Sequence, residues 1–184
     1  SQPLPRSFYW ILAAVGLFSI GNSSDMFLVL RAQNIGISAA QAPLLGLLFN
    51  LVYTAGSWPA GRLSDRMPRR YLAALGYFIF AGVYFIFGAA PSEKAIWAMM
   101  ALYGLYYALT AQVLKAMVVD VAPKEARGKA IGLFYLVSSI TALLASLITG
   151  RLWKEFGAEV PFYLSAGLAL LSGVLLLFIR PARN

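Results

Sequence analysis

Two polar residues in the first apolar segment, Asn22 and Asp25, are the strongest candidates for chemistry in this sequence. They follow Phe18 by four and seven residues, a spacing that puts all three side chains on one face of a helix. If this segment lies in a membrane, its carboxylate must be paired, protonated or exposed to water, because burying an isolated charge is costly. Two interpretations stay open. Either Asp25 binds a proton or a cationic solute, or it forms a structural ion pair with Arg31 or with another helix.

A second group of polar side chains lies on the predicted fourth helix. Gln112 and Lys115 end a stripe of small residues at helical spacing, and Tyr103 and Tyr107 form a neighbouring strip. Amide and phenol groups are suited to contact an amphipathic organic solute, although interfacial aromatic residues are common in any membrane helix. Lys115 has three possible roles: it binds an anionic group, it pairs with Asp120, or its ammonium group extends to the lipid headgroups.

The amino-acid composition excludes several kinds of site. The chain contains no His and no Cys, so it lacks imidazole bases, thiol nucleophiles, disulfides and most ligands for haem, zinc and iron–sulfur clusters. It also lacks the G-x-x-x-x-G-K-[ST] phosphate-binding loop that would indicate ATP hydrolysis. We therefore expect no enzyme activity, no cofactor and no metal site.

The elements that must position these residues are apolar helices. Of the 184 residues, 60% are hydrophobic and 12% are charged, whereas about a quarter of the residues in a typical soluble protein are charged. Six uncharged stretches supply enough residues to cross a bilayer core about 30 Å thick. They cover residues 7–24, 32–61, 71–92, 95–114, 130–150 and 160–179. We predict an all-α polytopic membrane protein, a single domain over 1–184, with transmembrane helices roughly over 8–30, 42–61, 71–90, 95–118, 130–151 and 160–179.

The distribution of basic residues predicts how these helices are oriented. If the loops alternate between the two sides, eleven of the 15 Lys and Arg residues lie on one side and the remaining four on the other. The positive-inside rule assigns the richer side to the cytoplasm, so we expect both termini on the cytoplasmic side of the cell membrane. The net charge of +8 then indicates topology, and we expect no nucleic-acid partner. The richer side holds Arg6, Arg62, Arg66, Arg69, Arg70, Lys115, Lys124, Arg127, Lys129, Arg180 and Arg183.

Similar sequences recur in the second and fifth predicted helices. The second begins with LGLLF at 45–49 and ends with GRL at 61–63, and the fifth begins with IGLF at 131–134 and ends with GRL at 150–152. The copies are one three-helix unit apart, so they point in opposite directions across the membrane, as in a 3+3 inverted repeat. The alternative is coincidence, because Gly-Arg-Leu is common at helix ends.

The loop after the second helix carries a glycine, an acid and several arginines. It reads Gly61-Arg62-Leu63-Ser64-Asp65-Arg66-Met67-Pro68-Arg69-Arg70. This closely resembles the G-x-L-x-D-R-x-G-R-R signature of the major facilitator superfamily of secondary transporters. Pro68 replaces the second glycine of the family pattern and makes the turn stiffer. The matching positions are Gly61, Leu63, Asp65, Arg66, Arg69 and Arg70.

A second loop resembles the P-x-x-x-R-G pattern that follows the fourth helix of each half in this family. Its residues are Pro123, Arg127 and Gly128, and it comes directly after Asp120. The alternative is that this charged loop is only a solvated tether.

The resemblance implies roles for the charged residues of both loops. Asp65 is expected to brace a helix of the other half of the transporter on the cytoplasmic side, and Arg66 or Arg70 is expected to reach Asp120. Breaking these contacts should shift the balance between inward-open and outward-open states.

The resemblance covers the whole chain, which corresponds to one six-helix half of a transporter that normally has twelve helices. The segments 8–36 and 153–162 look more like helices seven to twelve, so we expect the carboxy-terminal half, with 180–184 as its natural end. Ser1 is then a processed start or the start of a fragment. The second half is expected to come from a preceding segment, a separate chain or a homodimer.

The family resemblance implies a function in membrane transport. In this family the first and fourth helices of each half line a central cavity, and access alternates as the halves rock. We expect the chain to move a small organic solute or drug-like compound, in exchange with protons or down its gradient. The alternative is a six-helix subunit that transports nothing and binds a partner membrane protein.

Overall fold

A computed structural model of the chain describes residues 3–89 and 92–179, and these residues form helices joined by short loops. A one-turn 3-10 helix over Lys124–Ala126 joins the fifth and sixth α-helices. The all-α prediction is confirmed, since the described residues contain no strand. The α-helices are α1 Arg6–Gly21, α2 Met26–Ile35, α3 Ala42–Ser64, α4 Arg69–Gly88, α5 Glu93–Val121, α6 Arg127–Phe156 and α7 Val160–Phe178.

Five helical stretches of the described chain are long and apolar enough to cross a membrane. The first consists of α1 and α2 together, and the others contain α4, α5, α6 and α7. The 23 residues of α3 would extend ~34 Å at 1.5 Å per residue, which is enough to span. However, α3 carries Asn50, Tyr53 and Ser57, which lower its hydropathy. Five spans therefore meet both criteria, and the six-span 3+3 repeat stays a prediction.

The first predicted helix, over 8–30, is wrong as a continuous element. The structure has a break between Gly21 and Met26, in a run of Asn, Ser, Ser and Asp. These side chains favour local hydrogen bonds that compete with helical ones. Within the break, the Ser24 N–H donates to the side-chain oxygen of Ser146 on α6 at 3.2 Å. The helical spacing that we used for Phe18, Asn22 and Asp25 therefore does not apply.

The remaining predicted helices overlap observed helices, but their ends differ. Three helices are longer than predicted, since α3 covers Ala42–Ser64, α5 covers Glu93–Val121 and α6 covers Arg127–Phe156. Glycines in the left-handed region end two helices: Gly36 after α2 and Gly157 after α6 have φ of 134° and 107°. The predicted helix end at residue 90 and the predicted cytoplasmic cations Arg180 and Arg183 lie outside the described residues.

The packing places α4 and α5 at the centre of the bundle. α4 packs on α5 and α7, α3 packs on α5, and α1 packs on α6 and α7. Aromatic rings fill the interior: Phe18 stacks on Tyr77 with ring centroids 3.9 Å apart. In contrast, most of α6 is exposed, and Leu143 and Leu147 on it are 64% and 63% exposed.

The two ends of the bundle differ in charge. We call the end that carries the α3–α4 and α5–α6 loops the basic end, because Arg62, Arg66, Arg69, Arg70, Lys124, Arg127 and Lys129 lie there. We call the other end, with the α2–α3 loop and the end of α4, the far end. Each α-helix from α3 to α7 therefore runs between the basic end and the far end.

Candidate functional site

The break between α1 and α2 holds Asp25 against the central helix α5. The hydroxyl group of Tyr103 donates a 2.7 Å hydrogen bond to Asp25 Oδ1. Asp25 is also the residue before α2, and its main-chain carbonyl accepts from the N–H groups of Leu28 and Val29. The positive end of the α2 dipole favours a negative charge at this position. The carboxylate makes no capping bond to α2, so its oxygens are available to groups in the cavity beside it.

Arg31 does not pair with Asp25, contrary to one of our two interpretations. Its side chain is almost completely buried, 4% exposed, at the far end of the bundle. The guanidinium group donates from Nε to the carbonyl of Phe87 at 2.9 Å and from Nη2 to the carbonyl of Gly88 at 3.0 Å. These carbonyls end α4, where a helix has unpaired acceptors and a negative dipole end. Arg31 therefore fastens α2 to α4, and no ion pair among the described residues involves Asp25.

An open cavity of about 450 Å³ lies beside the break, and we call it the Asp25 cavity. Three elements form it: the break itself, α5 and α6. Asp25 is exposed on its surface. The lining residues are Asn22, Ser23, Ser24, Asp25, Tyr107, Ala142, Leu143 and Ser146.

A second cavity of about 330 Å³ lies nearer the basic end, and we call it the Lys115 cavity. Asn22 and Tyr107 line both cavities, so the two are neighbours. The Lys115 ammonium group lies 5.5 Å from the centroid of the Tyr135 ring, in a cation–π contact with α6. Two buried polar atoms of lining residues, Tyr77 Oη and Asn22 Oδ1, have no hydrogen-bond partner among the described residues.

The structure brings together most of the residues predicted to contact solute. Asn22, Asp25, Tyr103 and Tyr107 surround the break, and Lys115 lies further along the same helix as the two tyrosines. Gln112 is exposed and lines neither cavity.

Among the lining residues that sequence reasoning missed, three bear on the chemistry of these cavities. Tyr77 lies on α4, and one residue among many aromatic ones carries no distinguishing signal. Tyr135 and Ser146 lie on α6, whose polar residues we did not assign to a cavity. The run of four polar residues from Asn22 was a usable signal for the break, because such side chains are unusual in consecutive positions of a transmembrane helix.

The motif residues of the basic end form an ion-paired cluster around Arg69. The Arg69 guanidinium pairs with Asp120 on α5 and lies 3.9 Å from Asp65 Oδ1. We expected Arg66 or Arg70 to reach Asp120, and that expectation is wrong. Arg69 is the first residue of α4 and faces the end of α5, whereas Arg70 faces α7 and donates to the carbonyl of Ile179 at 2.7 Å.

Other motif residues make few contacts within the described chain. Arg66, Arg127 and Gly128 are exposed. A Cβ atom placed on Gly61 or Gly128 would meet no described atom within 4 Å, so neither glycine permits a close approach here. Pro68, which replaces a glycine of the family pattern, has φ of −56°. The turn therefore does not use the left-handed conformation that would require glycine.

Comparisons with known proteins identify relatives along the whole chain. The sequence profile of the Major Facilitator Superfamily matches residues 9–184. An uncharacterized MFS-type transporter of Methanocaldococcus jannaschii is 38% identical over 182 residues, which cover 96% of this chain and 46% of the relative. A probable 4-methylmuconolactone transporter of Cupriavidus pinatubonensis is 30% identical, over 79% of this chain and 34% of the relative. A multidrug resistance protein of Serratia proteamaculans is 27% identical, over 97% of this chain and 46% of the relative. The chain spans less than half the length of these relatives.

Proposed function

Because the chain belongs to the major facilitator superfamily of transporters, we propose that it forms one half of a secondary transporter for a small organic or drug-like solute. The broken first span and α5 line the path of the solute, and Asp25 is its principal polar contact. One relative is named for resistance to multiple drugs and another for transport of 4-methylmuconolactone. These names support an organic solute, as does the aromatic lining of the Lys115 cavity.

The observation that carries this proposal is the hydrogen bond from Tyr103 to Asp25 beside an open cavity. A carboxylate at a break in a transmembrane helix can exchange a proton or bind a cationic group, because unwound backbone and helix ends favour such sites. Exchange of a proton at Asp25 as solute enters or leaves would couple transport to a proton gradient. Asp25 then alternates between the two sides as the protein changes state.

Alternating access requires a second six-helix half, and α6 offers a surface for it. Leu143 and Leu147 are exposed on α6 beside the Asp25 cavity, and Leu143 lines it. A second half packed there would close the open side of this cavity. It comes from a preceding segment, a separate chain or a second copy of this chain. The excess of Arg and Lys at the basic end supports a cytoplasmic position for that end, with the bundle in the cell membrane.

A six-helix subunit that transports nothing is the alternative function. Reconstitution of the purified protein in liposomes separates the two, with ethidium and 2-naphthoate as organic probes. We expect accumulation of at least one probe in response to a proton gradient, and a loss of about tenfold or more in Asp25→Asn. Glu125→Gln is the matched control, because Glu125 is an exposed carboxylate in the α5–α6 loop. If neither probe moves faster than in empty liposomes, or if Asp25→Asn transports normally, the proposed function is wrong.

A further inference from the structure

We propose that the Lys115 cavity is a second solute subsite, one that binds a carboxylate attached to an aromatic or other flat apolar body. This inference rests on the proposed transport function and specifies the class of its solute. The subsite adjoins the Asp25 cavity, with which it shares Asn22 and Tyr107, but its charged group is distinct. Tyr103, which binds Asp25, and Lys115 are twelve positions apart on α5, or ~18 Å along the helix axis at 1.5 Å per residue.

The first argument is the positive charge of Lys115. Among residues 3–89 and 92–179, no carboxylate lies within ion-pair distance of its ammonium group. Asp120 pairs with Arg69, and Asp25 accepts from Tyr103. A half-buried cation in a membrane protein is costly unless it has an anionic partner. The Tyr135 ring supplies only part of this compensation, since a ring quadrupole attracts a cation more weakly than a carboxylate does.

Extension of Lys115 to the headgroups does not explain its position. The side chains of a helix tilt towards its N-terminus, and α5 begins at the far end. The Cα–Cβ bond of Lys115 therefore tilts away from the basic end, and the ammonium group lies over the Tyr135 ring of α6. Tyr135 itself lies eight residues after Arg127, the first residue of α6, or ~12 Å along that helix.

The second argument is the presence of unused hydrogen-bonding groups in the same cavity. Tyr77 is completely buried, and its hydroxyl group has no partner in the described part of the chain. Asn22 contributes a buried amide whose oxygen is likewise unpartnered. The amide oxygen and nitrogen can exchange places by rotation, so Asn22 is also able to present an N–H donor. Buried polar groups are nearly always hydrogen-bonded, and a bound carboxylate would accept from these donors.

The third argument is the apolar wall of the cavity, which determines what must be attached to the carboxylate. Aromatic rings from α1, α4, α5 and α6 line it, together with small aliphatic side chains. A volume of about 330 Å³ lies at the lower end of the range for small-molecule sites, roughly 300–1,000 Å³. The rings are those of Phe18, Tyr77, Tyr106, Tyr107, Phe134 and Tyr135.

Equilibrium binding of two isosteric probes tests this subsite without requiring transport. The purified protein is placed in phosphatidylcholine nanodiscs at pH 7, and the affinities of 2-naphthoate and of its neutral analogue 2-naphthamide are compared. We expect the naphthoate to bind about tenfold more tightly, because charge-assisted hydrogen bonds are the stronger ones. Lys115→Met should abolish this preference, Lys115→Arg should retain most of it, and Tyr77→Phe should reduce it several-fold.

The matched control is Lys94→Met, since Lys94 is an exposed lysine at the far end and its loss should change neither affinity. Equal binding of both probes by the unmodified protein, or an undiminished preference in Lys115→Met, would overturn the subsite. Loss of the preference in nanodiscs that contain phosphatidylglycerol would also overturn it, because an anionic lipid would then occupy the cavity. Failure of the transport function has a different signature: the naphthoate still binds through Lys115, but no probe crosses the liposome membrane.

Discussion

The hydroxyl group of Tyr103 donates a 2.7 Å hydrogen bond to Asp25. The bond joins the central helix α5 to the non-helical residues between α1 and α2. On either side of this bond, α1 packs mainly on α6 and α7 and also contacts α5, whereas α2 contacts α3, α4 and α5. Both halves of the broken span therefore contact α5, the helix that carries Tyr103. A change in the charge or the hydrogen bonding of Asp25 acts at the point where α1, α2 and α5 come together.

Tyr103→Phe should lower transport without unfolding the protein. The phenylalanine ring keeps the aromatic packing of a residue that is 1% exposed, and only the donor to Asp25 is lost. A hydrogen bond to a charged group contributes about 1.5–3 kcal/mol, so we expect a loss of roughly tenfold or more in the rate of solute uptake into liposomes.

The control for this prediction is Tyr163→Phe, because Tyr163 is a partly exposed tyrosine on α7 that lines neither cavity. It should leave uptake unchanged. Normal uptake by Tyr103→Phe would contradict the role that we assign to the hydrogen bond.

The helices could be predicted from sequence because long uncharged runs have few alternatives in a bilayer. The break at Asn22 could not be predicted by counting apolar residues. Its position depends on whether polar side chains or helical carbonyls form the hydrogen bonds of the backbone N–H groups. One of those side chains, Ser146, comes from a distant part of the chain.

The charged partners were harder to predict than the motif that contains them. Arg69, rather than Arg66 or Arg70, reaches Asp120 because α4 begins at Arg69 and adjacent helical residues point about 100° apart. That register depends on where the turn ends, and a motif does not specify it. Similarly, Lys115 and Tyr77 share a cavity only because α4 and α5 pack together, which their separation in sequence does not reveal.

Gly104→Ala should weaken the contact between α3 and α5. A Cβ atom at Gly104 would lie 2.6 Å from the main-chain oxygen of Phe49, and a backbone atom cannot move without displacing α3. We expect the substitution to cost about 1–3 kcal/mol and to lower the temperature of thermal unfolding in detergent. Gly82→Ala is the control on α4, where a Cβ atom would meet no described atom within 4 Å. There, the greater helix propensity of alanine should leave stability unchanged or increase it, and equal effects at both positions would contradict the packing argument.

Arg31→Met should destabilise the far end of the bundle. It removes the donors to the carbonyls of Phe87 and Gly88 and leaves these buried acceptors unpaired. We expect a loss of about 3–6 kcal/mol in stability, because two buried hydrogen bonds to a charged group contribute about 1.5–3 kcal/mol each. Arg31→Lys should restore little of it, because an ammonium group cannot form the same fork of bonds.

A second arginine provides the comparison for Arg31. Arg151 lies on α6 with its side chain 79% exposed and pairs with Glu155, and exposed ion pairs contribute little to stability. Arg151→Met should therefore change the unfolding temperature much less than Arg31→Met does. If the two variants unfold at the same temperature, Arg31 does not stabilise the contact between α2 and α4.

Asp65→Asn should lower transport while leaving the stability of the bundle nearly unchanged. The Asp65 side chain is 76% exposed and lies 3.9 Å from Arg69, so its ion pair contributes less than about 1 kcal/mol to folding. Its proposed role is instead to contact a helix of the second half at the basic end, where loss of charge would alter the balance of open states. Glu155→Gln provides a matched control, because Glu155 also pairs with an arginine four residues away on an exposed helix surface. Unchanged transport kinetics of Asp65→Asn in vesicles would show that this carboxylate takes no part in gating, whatever its effect on the unfolding temperature.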